Sequence, residues 1–358
     1  MIMTANRSVS KIKAIARTLA ARGYTAAGGH KRANIGRVII LMYHRVLKDN
    51  DDYAKYLQPG MFVFQSSFEM HVQSLLEDYD VISFDEMLRL QQTGTPERRS
   101  RCCVITFDDG WRDNYDFALP ILRKYRLPAT VFLTTGYAGT ERSFWHEDVS
   151  RLFFLFDRAY GSETPCARPE ADVSPLTHLI SSHLLLKTRH RADSIDTVIE
   201  ALKSHPAEVI EGSIHAVAAA FDLILSSSRT MLSWDEIRDM GLAGISFGSH
   251  TCEHQLLTQV DDLTAQREIR NSLADLRSQD LNLIPAFCYP NGFHNRRIRE
   301  LVADAGYSAA VTTSYGSESP ELPELFQLAR IGIHQDISKS RSLFFYRIRG
   351  GTPRRLTQ

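Results

Sequence analysis

Short apolar runs that alternate with helix-like segments constrain the fold of this 358-residue chain more than any other feature. The run at residues 38–43 is followed directly by His44, which is the pattern of a parallel strand covered on both faces. Seven or eight such strands, enough to close or nearly close a barrel, predict an α/β fold with a parallel sheet. The other strand signals lie at residues 79–83, 104–107, 129–134, 245–249, 284–289, 308–312 and 328–333.

The strand signal is absent from about residue 144 to residue 232. Helix-like segments replace it at residues 176–187, 194–204 and 207–225. We therefore predict one barrel domain over residues 38–340 that carries a helical insertion at about residues 144–232.

Both ends of the chain are basic. Residues 1–37 contain eight Lys or Arg and no Asp or Glu, and no acid follows Asp336. Ile12, Ala16 and Leu19 recur at helical spacing beside basic residues, so we predict a basic amphipathic tail over residues 1–37 and a basic tail over residues 341–358. A disordered leader and an organellar transit peptide have the same composition and are the alternatives for the first segment.

Composition excludes several classes of protein. Apolar residues make up 43% and charged residues 23% of the chain, as in globular proteins, and no apolar run approaches the length of a membrane span. The formal net charge is zero, so we expect no general affinity for nucleic acid. Five cysteines without C-x-x-C spacing predict no disulfide framework and favour a reducing, intracellular setting.

Two adjacent acids, Asp108 and Asp109, end the strand at residues 104–107 and are followed by Gly110. The carboxyl edge of a parallel sheet is where α/β folds keep their chemistry. Neighbouring residues of an extended segment point to opposite sides, so we expect one acid to ligate a metal and the other to face a substrate. A strand that simply ends in an Asp-Gly turn is the alternative.

Two histidines, His250 and His254, follow the strand at residues 245–249. On a helical turn this spacing would put both imidazoles on one side, although a single pair of this kind is often incidental. Joined to one of the acids at 108–109, the pair makes a two-His, one-carboxylate set with open coordination positions, which predicts a catalytic metal. An iron oxygenase with the same ligand set would leave Asp108 without a role.

A third strand ends in Phe287-Cys288-Tyr289-Pro290-Asn291-Gly292, where Pro and Gly force a tight turn. With T-F-D-D-G at residues 106–110 and H-T-C-E-H at residues 250–254, the chain resembles the polysaccharide deacetylases, the NodB-homology or carbohydrate esterase family 4 proteins, in three motifs and in their order. Residues 41–46 also resemble the opening strand of the exopolysaccharide-associated branch. The resemblance covers residues 38–335, apart from the insertion.

The resemblance implies a distorted (β/α) barrel that holds a divalent metal, usually zinc. The implied activity is removal of N-acetyl groups from the amino sugars of a polysaccharide or a lipid-linked glycan. Such a metal would polarise the acetyl carbonyl and lower the pKa of a bound water. The implied site comprises Asp109, His250 and His254 as metal ligands, Asp108 as general base, the backbone N–H of Tyr289 as an oxyanion donor and His334 as general acid.

Other residues are candidates for the same site. His44 and His146 are alternatives to His334 as the acid, and the predicted substrate contacts are Tyr43, His44, Trp145 and Pro290. The chain departs from the family pattern in two places: apolar residues stand where much of the family has an arginine before the Tyr-Pro pair, and Gly332 stands where a leucine precedes the final histidine.

The same constellation of residues is compatible with O-acetyl ester hydrolysis, deformylation or hydrolysis of a cyclic amide, since each requires only a carbonyl. A catalytically inactive glycan-binding relative is the alternative from a different class. The basic ends further predict a cytoplasmic enzyme held peripherally at the anionic surface of the inner membrane.

Overall fold

The parallel sheet predicted from the apolar runs is confirmed by the computed structural model, which describes residues 2–93, 101–161, 174–186, 191–225, 229–322 and 324–351. The strands of this part of the chain are β1 (Arg37–Tyr43), β2 (Arg45–Leu47), β3 (Phe62–Phe64), β4 (Asp80–Val81), β5 (Arg101–Phe107), β6 (Ala129–Leu133), β7 (Ile245–Ser249), β8 (Leu283–Cys288), β9 (Ala309–Val311) and β10 (Ile331–Gly332). Eight of them form one sheet in the order β10-β1-β5-β6-β7-β8-β9, with β4 beside β5. All pairings in this sheet are parallel.

The segment at residues 328–333 brings the two edges of the curled sheet together. At its start, Leu328 forms a parallel bridge with Val311 of β9. At its end, Ile331 pairs with Leu41 of β1, and the N–H of Ile333 donates to the carbonyl of Met42 at 2.9 Å. The predicted distorted barrel is thus confirmed, and its strands present their carboxyl ends on one edge.

Helices cover the outside of the sheet. They are α1 (Ile2–Ala26), α2 (Gln65–Asp78), α3 (Phe84–Thr93), α4 (Leu119–Tyr125), α5 (Trp145–Tyr160), α6 (Pro175–Leu185), α7 (Arg191–Leu202), α8 (Ala207–Ala220), α9 (Trp234–Leu242), α10 (Asp262–Ser278), α11 (Arg296–Asp304), α12 (Gln335–Ser338) and α13 (Arg341–Arg347). Alternate side chains of β1 and β5 point to the two faces, so Ile40 and Val104 fill the barrel while Ile39 and Ile105 pack under the helices. Both faces of the sheet are therefore apolar.

The insertion has an apolar core of its own. Helices α5 to α8 bury one set of aliphatic and aromatic side chains against each other, including Leu152, Ile180, Val198 and Val217. Tyr56, from the loop after β2, joins this core and attaches the insertion to the barrel. The helices leave the barrel after β6 and return to it before β7, the strand that precedes His250 and His254.

The chain ends differ from the predicted tails. Helix α1 is longer than the short helix expected there, and it packs against α13. Residues 341–348, assigned to a basic tail, bury Phe344, Phe345 and Ile348 in the core between the sheet and its helices, because these apolar residues lie on one face of this segment. No helix in the described ranges is long and apolar enough to cross a membrane.

Candidate active site

The two acids follow β5 in a tight turn that differs from the extended segment expected from the sequence. Asp109 has a φ of 76° and Gly110 a φ of 89°, and a Cβ at Gly110 would meet a side-chain carbon of Leu133 at 2.9 Å. This left-handed turn, rather than strand alternation, separates the two carboxylates. Asp108 is directed toward Arg330 and Asp109 toward the histidines after β7.

The two histidines lie in a loop and not on the helical turn suggested by their spacing. Thr251 and His254 have φ values of 65° and 56°, both in the left-handed region. The buried carboxylate of Glu268, on α10, accepts hydrogen bonds from the backbone N–H groups of Cys252 and Glu253, at 3.0 and 2.8 Å. Glu268 therefore stabilises this unusual loop conformation, which brings the two imidazole centroids to 4.8 Å.

The side chains of Asp109, His250 and His254 converge on one point, and we call them the metal pocket. The Nε2 atoms of His250 and His254 lie 3.4 and 3.6 Å from Oδ1 of Asp109. One ligand atom from each residue lies within 4.8 Å of the others. The structure thus brings together the three residues predicted as metal ligands.

The hydrogen bonds around the metal pocket leave its inner atoms as electron-pair donors. Nδ1 of His250 lies 2.8 Å from the carbonyl of Cys288, which can only accept, so Nδ1 carries the hydrogen and Nε2 is left with its lone pair. The other oxygen of Asp109 accepts a hydrogen bond from the indole N–H of Trp111 at 2.8 Å. A carboxylate oxygen and two imidazole nitrogens form a donor set suited to zinc, so the residues fit a divalent metal.

The pKa shifts of the two histidines also bear on the binding of a cation. Burial lowers the pKa of His254 to about 3, which keeps this imidazole neutral and able to ligate. Burial alone would also lower the pKa of His250, but Cys288 and the two carboxylates raise it well above its usual value. The carboxylates therefore favour positive charge at Nε2 of His250, as a proton or as a metal ion that takes its place.

Asp108 is held by Arg330, a residue to which the sequence analysis assigned no role. The guanidinium of Arg330 is fully buried and donates to both carboxylate oxygens of Asp108 at 2.7 Å. Burial alone would raise the pKa of Asp108, but Arg330 lowers it below its usual value, so the carboxylate stays ionised. Asp108 also lies beside the metal pocket, since ligand atoms of Asp108, His250 and Cys288 are within 4.8 Å of one another.

A second buried cluster, which we call the arginine network, consists of Arg45, Asp113 and Glu147. Arg45 donates to Asp113 at 2.7 Å and to Glu147, the third residue of α5, at 2.8 Å. Its guanidinium lies 4.5 Å from the centroid of the Trp111 ring. The arginine network thus connects the helical insertion to Trp111, and Trp111 connects it to the metal ligand Asp109.

The predicted acid candidates occupy different positions. Nε2 of His44 lies 4.0 Å from a carboxylate oxygen of Asp108, which puts His44 at the site. His146 is half-buried and stacks on Phe144, whose ring also contacts His254 at 5.4 Å between centroids. His334 follows β10 at the same sheet edge, is one quarter exposed and pairs with Asp336.

Two predictions about aromatic residues need correction. Tyr43 was predicted to contact the substrate, but it is fully buried in the core and its hydroxyl lies 3.3 Å from Nδ1 of His71. The backbone N–H of Tyr289 was predicted to serve an oxyanion, but it bonds to the carbonyl of Val311 at 3.3 Å as part of the β8–β9 pairing. The side chain of Tyr43 therefore contributes to the core, and the N–H of Tyr289 contributes to strand pairing.

The other two predicted substrate contacts have structural surroundings of their own. Pro290 is buried and begins a short turn after β8. Trp145 is the first residue of α5, and it packs partly against the core of the insertion and against His146.

Two of the site residues that the sequence analysis did not identify, Arg330 and Trp111, have a recognisable signal in the sequence. Arg330 is a cation within an apolar strand segment, and a buried cation needs a buried acid. Trp111 follows the Asp-Asp-Gly turn at a distance of two residues from Asp109, close enough for its N–H to reach back. Arg45 and Glu268 had no such local signal, because their partners are far away in the sequence.

The family model described as "Polysaccharide deacetylase" matches residues 95–162 and 195–310, together just over half of the chain. A poly-beta-1,6-N-acetyl-D-glucosamine N-deacetylase from Staphylococcus aureus is 34% identical over 111 residues, which are 29% of this chain and 38% of that protein. The chain thus matches less than two fifths of the length of the curated relatives. The resemblance predicted from three motifs is confirmed by the family match.

Solved structures share the fold. The Streptococcus pyogenes deacetylase PplD has a TM-score of 0.55 and 22% identity, with 86% of this chain and 97% of that chain covered. IcaB from Ammonifex degensii has a TM-score of 0.52 and 16% identity, with the same two coverages.

Proposed function

This chain belongs to the polysaccharide deacetylase family, and from that membership we propose that it is a metal-dependent hydrolase that removes N-acetyl groups from the amino sugars of a glycan. The observation that carries the proposal is the joint presence of the metal pocket and of an ionised, metal-free carboxylate, Asp108, beside it. The named activity of the Staphylococcus aureus relative supports an N-acetylated glucosamine polymer as the substrate class.

The chemistry divides between the two acids. Asp109, His250 and His254 would hold a divalent metal, which we propose is Zn²⁺ and which when bound polarises the acetyl carbonyl and activates water. Asp108 accepts the proton of the attacking water, because Arg330 keeps the carboxylate ionised. The indole N–H of Trp111 and the carbonyl of Cys288 orient two of the ligands.

The departing amine needs a proton, and of the three predicted candidates, His334, His44 and His146, the first two follow strands at the carboxyl edge of the sheet. His334 follows β10 and pairs with Asp336. His44 is the other candidate because it lies 4.0 Å from Asp108. The acid is the histidine whose replacement by alanine removes the alkaline limb of the pH–rate profile while the protein retains its metal.

The intact set of ligands and base favours an enzyme over a glycan-binding relative without activity. Hydrolysis of O-acetyl or formyl groups remains the second candidate, since the same residues act on any reachable carbonyl. The leaving group distinguishes these reactions, because an N-acetyl or N-formyl group leaves a free amine on the sugar and an O-acetyl group leaves a hydroxyl.

The test is acetate release by zinc-loaded protein from a panel of N-acetylated, O-acetylated and N-formylated glycans, each as a free polymer and as a lipid-linked oligosaccharide. We expect acetate with a matching amount of free amine, loss of activity with a chelator, and recovery on addition of Zn²⁺. Acetate without free amine would show an esterase. Failure with every substrate, in protein that holds metal, would contradict the enzymatic proposal.

The location of the enzyme is also a proposal. A lipid-linked glycan would bring the enzyme to a membrane, and the basic ends of the chain suit an anionic cytoplasmic leaflet. Fractionation of cells is the direct measurement: we expect the protein with the inner membrane at low salt and in the cytoplasm at high salt.

A further inference from the structure

Helix α1 presents its largest apolar side chains to solvent. Ile12, Ile15 and Leu19 are 64%, 61% and 61% exposed, although buried positions were available on the opposite side of the helix. That opposite side faces the barrel with Ala21, which is fully buried, and with Tyr24, whose ring contacts Tyr346 at 5.8 Å. A helix that packs only on its own protein would have the reverse orientation.

Exposed basic residues lie on both sides of this apolar stripe, at different distances from it. At 100° per residue, Ile12, Ile15 and Leu19 share one face; Arg22 lies about 20° from Ile15, and Lys13 lies about 100° from Ile12 in the other direction. No acid occurs anywhere in residues 1–37. Long basic side chains beside an apolar stripe are typical of helices that lie in the plane of a membrane, where the charged groups reach the lipid headgroups.

The position of α1 is fixed by contacts beyond its end. The ring of His30 lies 4.6 Å from that of Phe345, and the side-chain amide of Asn34 donates to the carbonyl of Ile348 at 2.7 Å. Arg17, near the middle of α1, lies near Asp336, which follows β10 at the carboxyl edge of the sheet and pairs with His334. The middle of α1 therefore lies on the side of the molecule that carries the active site.

We infer that the face of α1 formed by Ile12, Ile15 and Leu19 docks on a lipid bilayer with anionic headgroups. The apolar side chains enter the boundary between headgroups and acyl chains, and Lys13 and Arg22 contact the phosphates. A second copy of the chain is a poorer partner for this face, since it would bring like charges together. The inference does not depend on deacetylase activity, and it gives the predicted membrane contact a defined surface.

The experiment uses the full chain and sedimentation with vesicles of phosphatidylcholine alone or mixed with phosphatidylglycerol. We expect binding to the mixed vesicles that decreases with salt, and little binding to phosphatidylcholine alone. The triple variant Ile12→Ser, Ile15→Ser, Leu19→Ser should bind at least about tenfold less, because its apolar contribution is lost. The double variant Lys13→Glu, Arg22→Glu should lose the preference for anionic vesicles.

A matched control replaces three apolar residues elsewhere that are at least as exposed, in the variant Ile224→Ser, Leu242→Ser, Leu263→Ser. This control should bind vesicles like the wild type, and all variants should retain the thermal unfolding midpoint of the wild type. Equal vesicle binding by the α1 triple variant and the control would overturn the inference. So would a wild-type dimer in solution that the α1 triple variant converts to a monomer without changing vesicle binding, since that result would assign the face to a second copy.

Discussion

Two clusters of buried charged residues, the arginine network and the metal pocket, both contact Trp111. They differ in whether protein atoms alone provide partners for their charged and polar groups. In the arginine network, Arg45 contacts both acids, Asp113 also accepts from the N–H of Val46, and Glu147 also accepts from a tyrosine hydroxyl. In the metal pocket, an ionised carboxylate faces the Nε2 atoms of two imidazoles, and the outer nitrogen of one of them, His250, is bonded to a backbone carbonyl. The first cluster is complete without a ligand, whereas the second requires a cation.

This difference shows how one edge of the sheet can hold both a charged cluster that stabilises the fold and a reactive site. Burying polar groups is tolerated when each has a partner, and the fold provides these partners to the arginine network from the insertion and from the loop after β1. The fold does not provide a full set of such partners in the metal pocket, so binding of a metal there would contribute to the free energy of folding. The predictions that follow test this contrast, from the largest expected effect to the smallest.

The largest effect is expected at the two adjacent acids. Asp109→Ala should lose metal and activity together, because it removes a ligand. Asp108→Asn should keep the metal and lose turnover by about three orders of magnitude or more, since only the base is removed. Metal analysis beside kcat decides between the roles. Metal-free Asp108→Asn protein together with normal metal content in Asp109→Ala would reverse the assignment.

The arginine network should depend on its cation for stability. Arg45→Met leaves two buried acids without their shared partner, and we expect a loss of about 3–5 kcal/mol in the free energy of unfolding, measured with urea. The triple variant Arg45→Met, Asp113→Asn, Glu147→Gln should recover much of that loss, because no unpaired charge remains. A loss below about 1 kcal/mol in the single variant would show that the network is not a structural support.

The pH dependence of stability provides a third test. Burial raises the pKa of Asp113 to about 6, above its value of about 3.8 in an unfolded chain. The folded protein therefore binds the proton more tightly, so this contribution to stability is present below pH 4 and is lost as the pH rises through 6. Asp113→Asn should lack this loss, which we expect to be about 2–3 kcal/mol.

The measurement is the free energy of unfolding of both proteins at pH 4 and pH 7. Other carboxylates with lowered pKa values, such as Glu236, give the opposite slope and are common to both proteins. The difference between wild type and variant therefore isolates Asp113. An identical pH dependence in the two proteins would contradict the raised pKa.

The contrast between the two clusters also explains which features the sequence predicts. The strands were found because a parallel strand covered on both faces is apolar along its whole length, a local signal. The metal pocket was found because its ligands stand directly after strand ends. The conformation that brings them together was predicted incorrectly: the i, i+4 spacing of His250 and His254 suggested a helical turn, whereas a loop held by Glu268 achieves the same proximity.

Features that depend on distant pairs could not be predicted in this way. Arg330 meets Asp108 only because β10 closes the barrel beside β1, and Arg45 meets Glu147 only because the insertion packs beside the start of β2. Helix α13 shows a different difficulty. Its basic residues suggested a solvated tail, but Phe344 and Phe345 decide its position because their burial outweighs the exposed charges.

The smallest expected effect tests whether Trp111 couples the arginine network to the metal pocket. Trp111→Phe keeps an aromatic ring for Arg45 to stack on but removes the indole N–H that fixes the second oxygen of Asp109. We expect metal affinity, measured by competition with a chelator, to fall by about tenfold, as is usual for residues that orient a ligand. Turnover at saturating metal should change little. Trp234→Phe, at a tryptophan packed against the barrel core, is the control and should leave the affinity unchanged. If both variants bind metal like the wild type, Asp109 does not need Trp111, and the arginine network supports the fold without affecting the metal pocket.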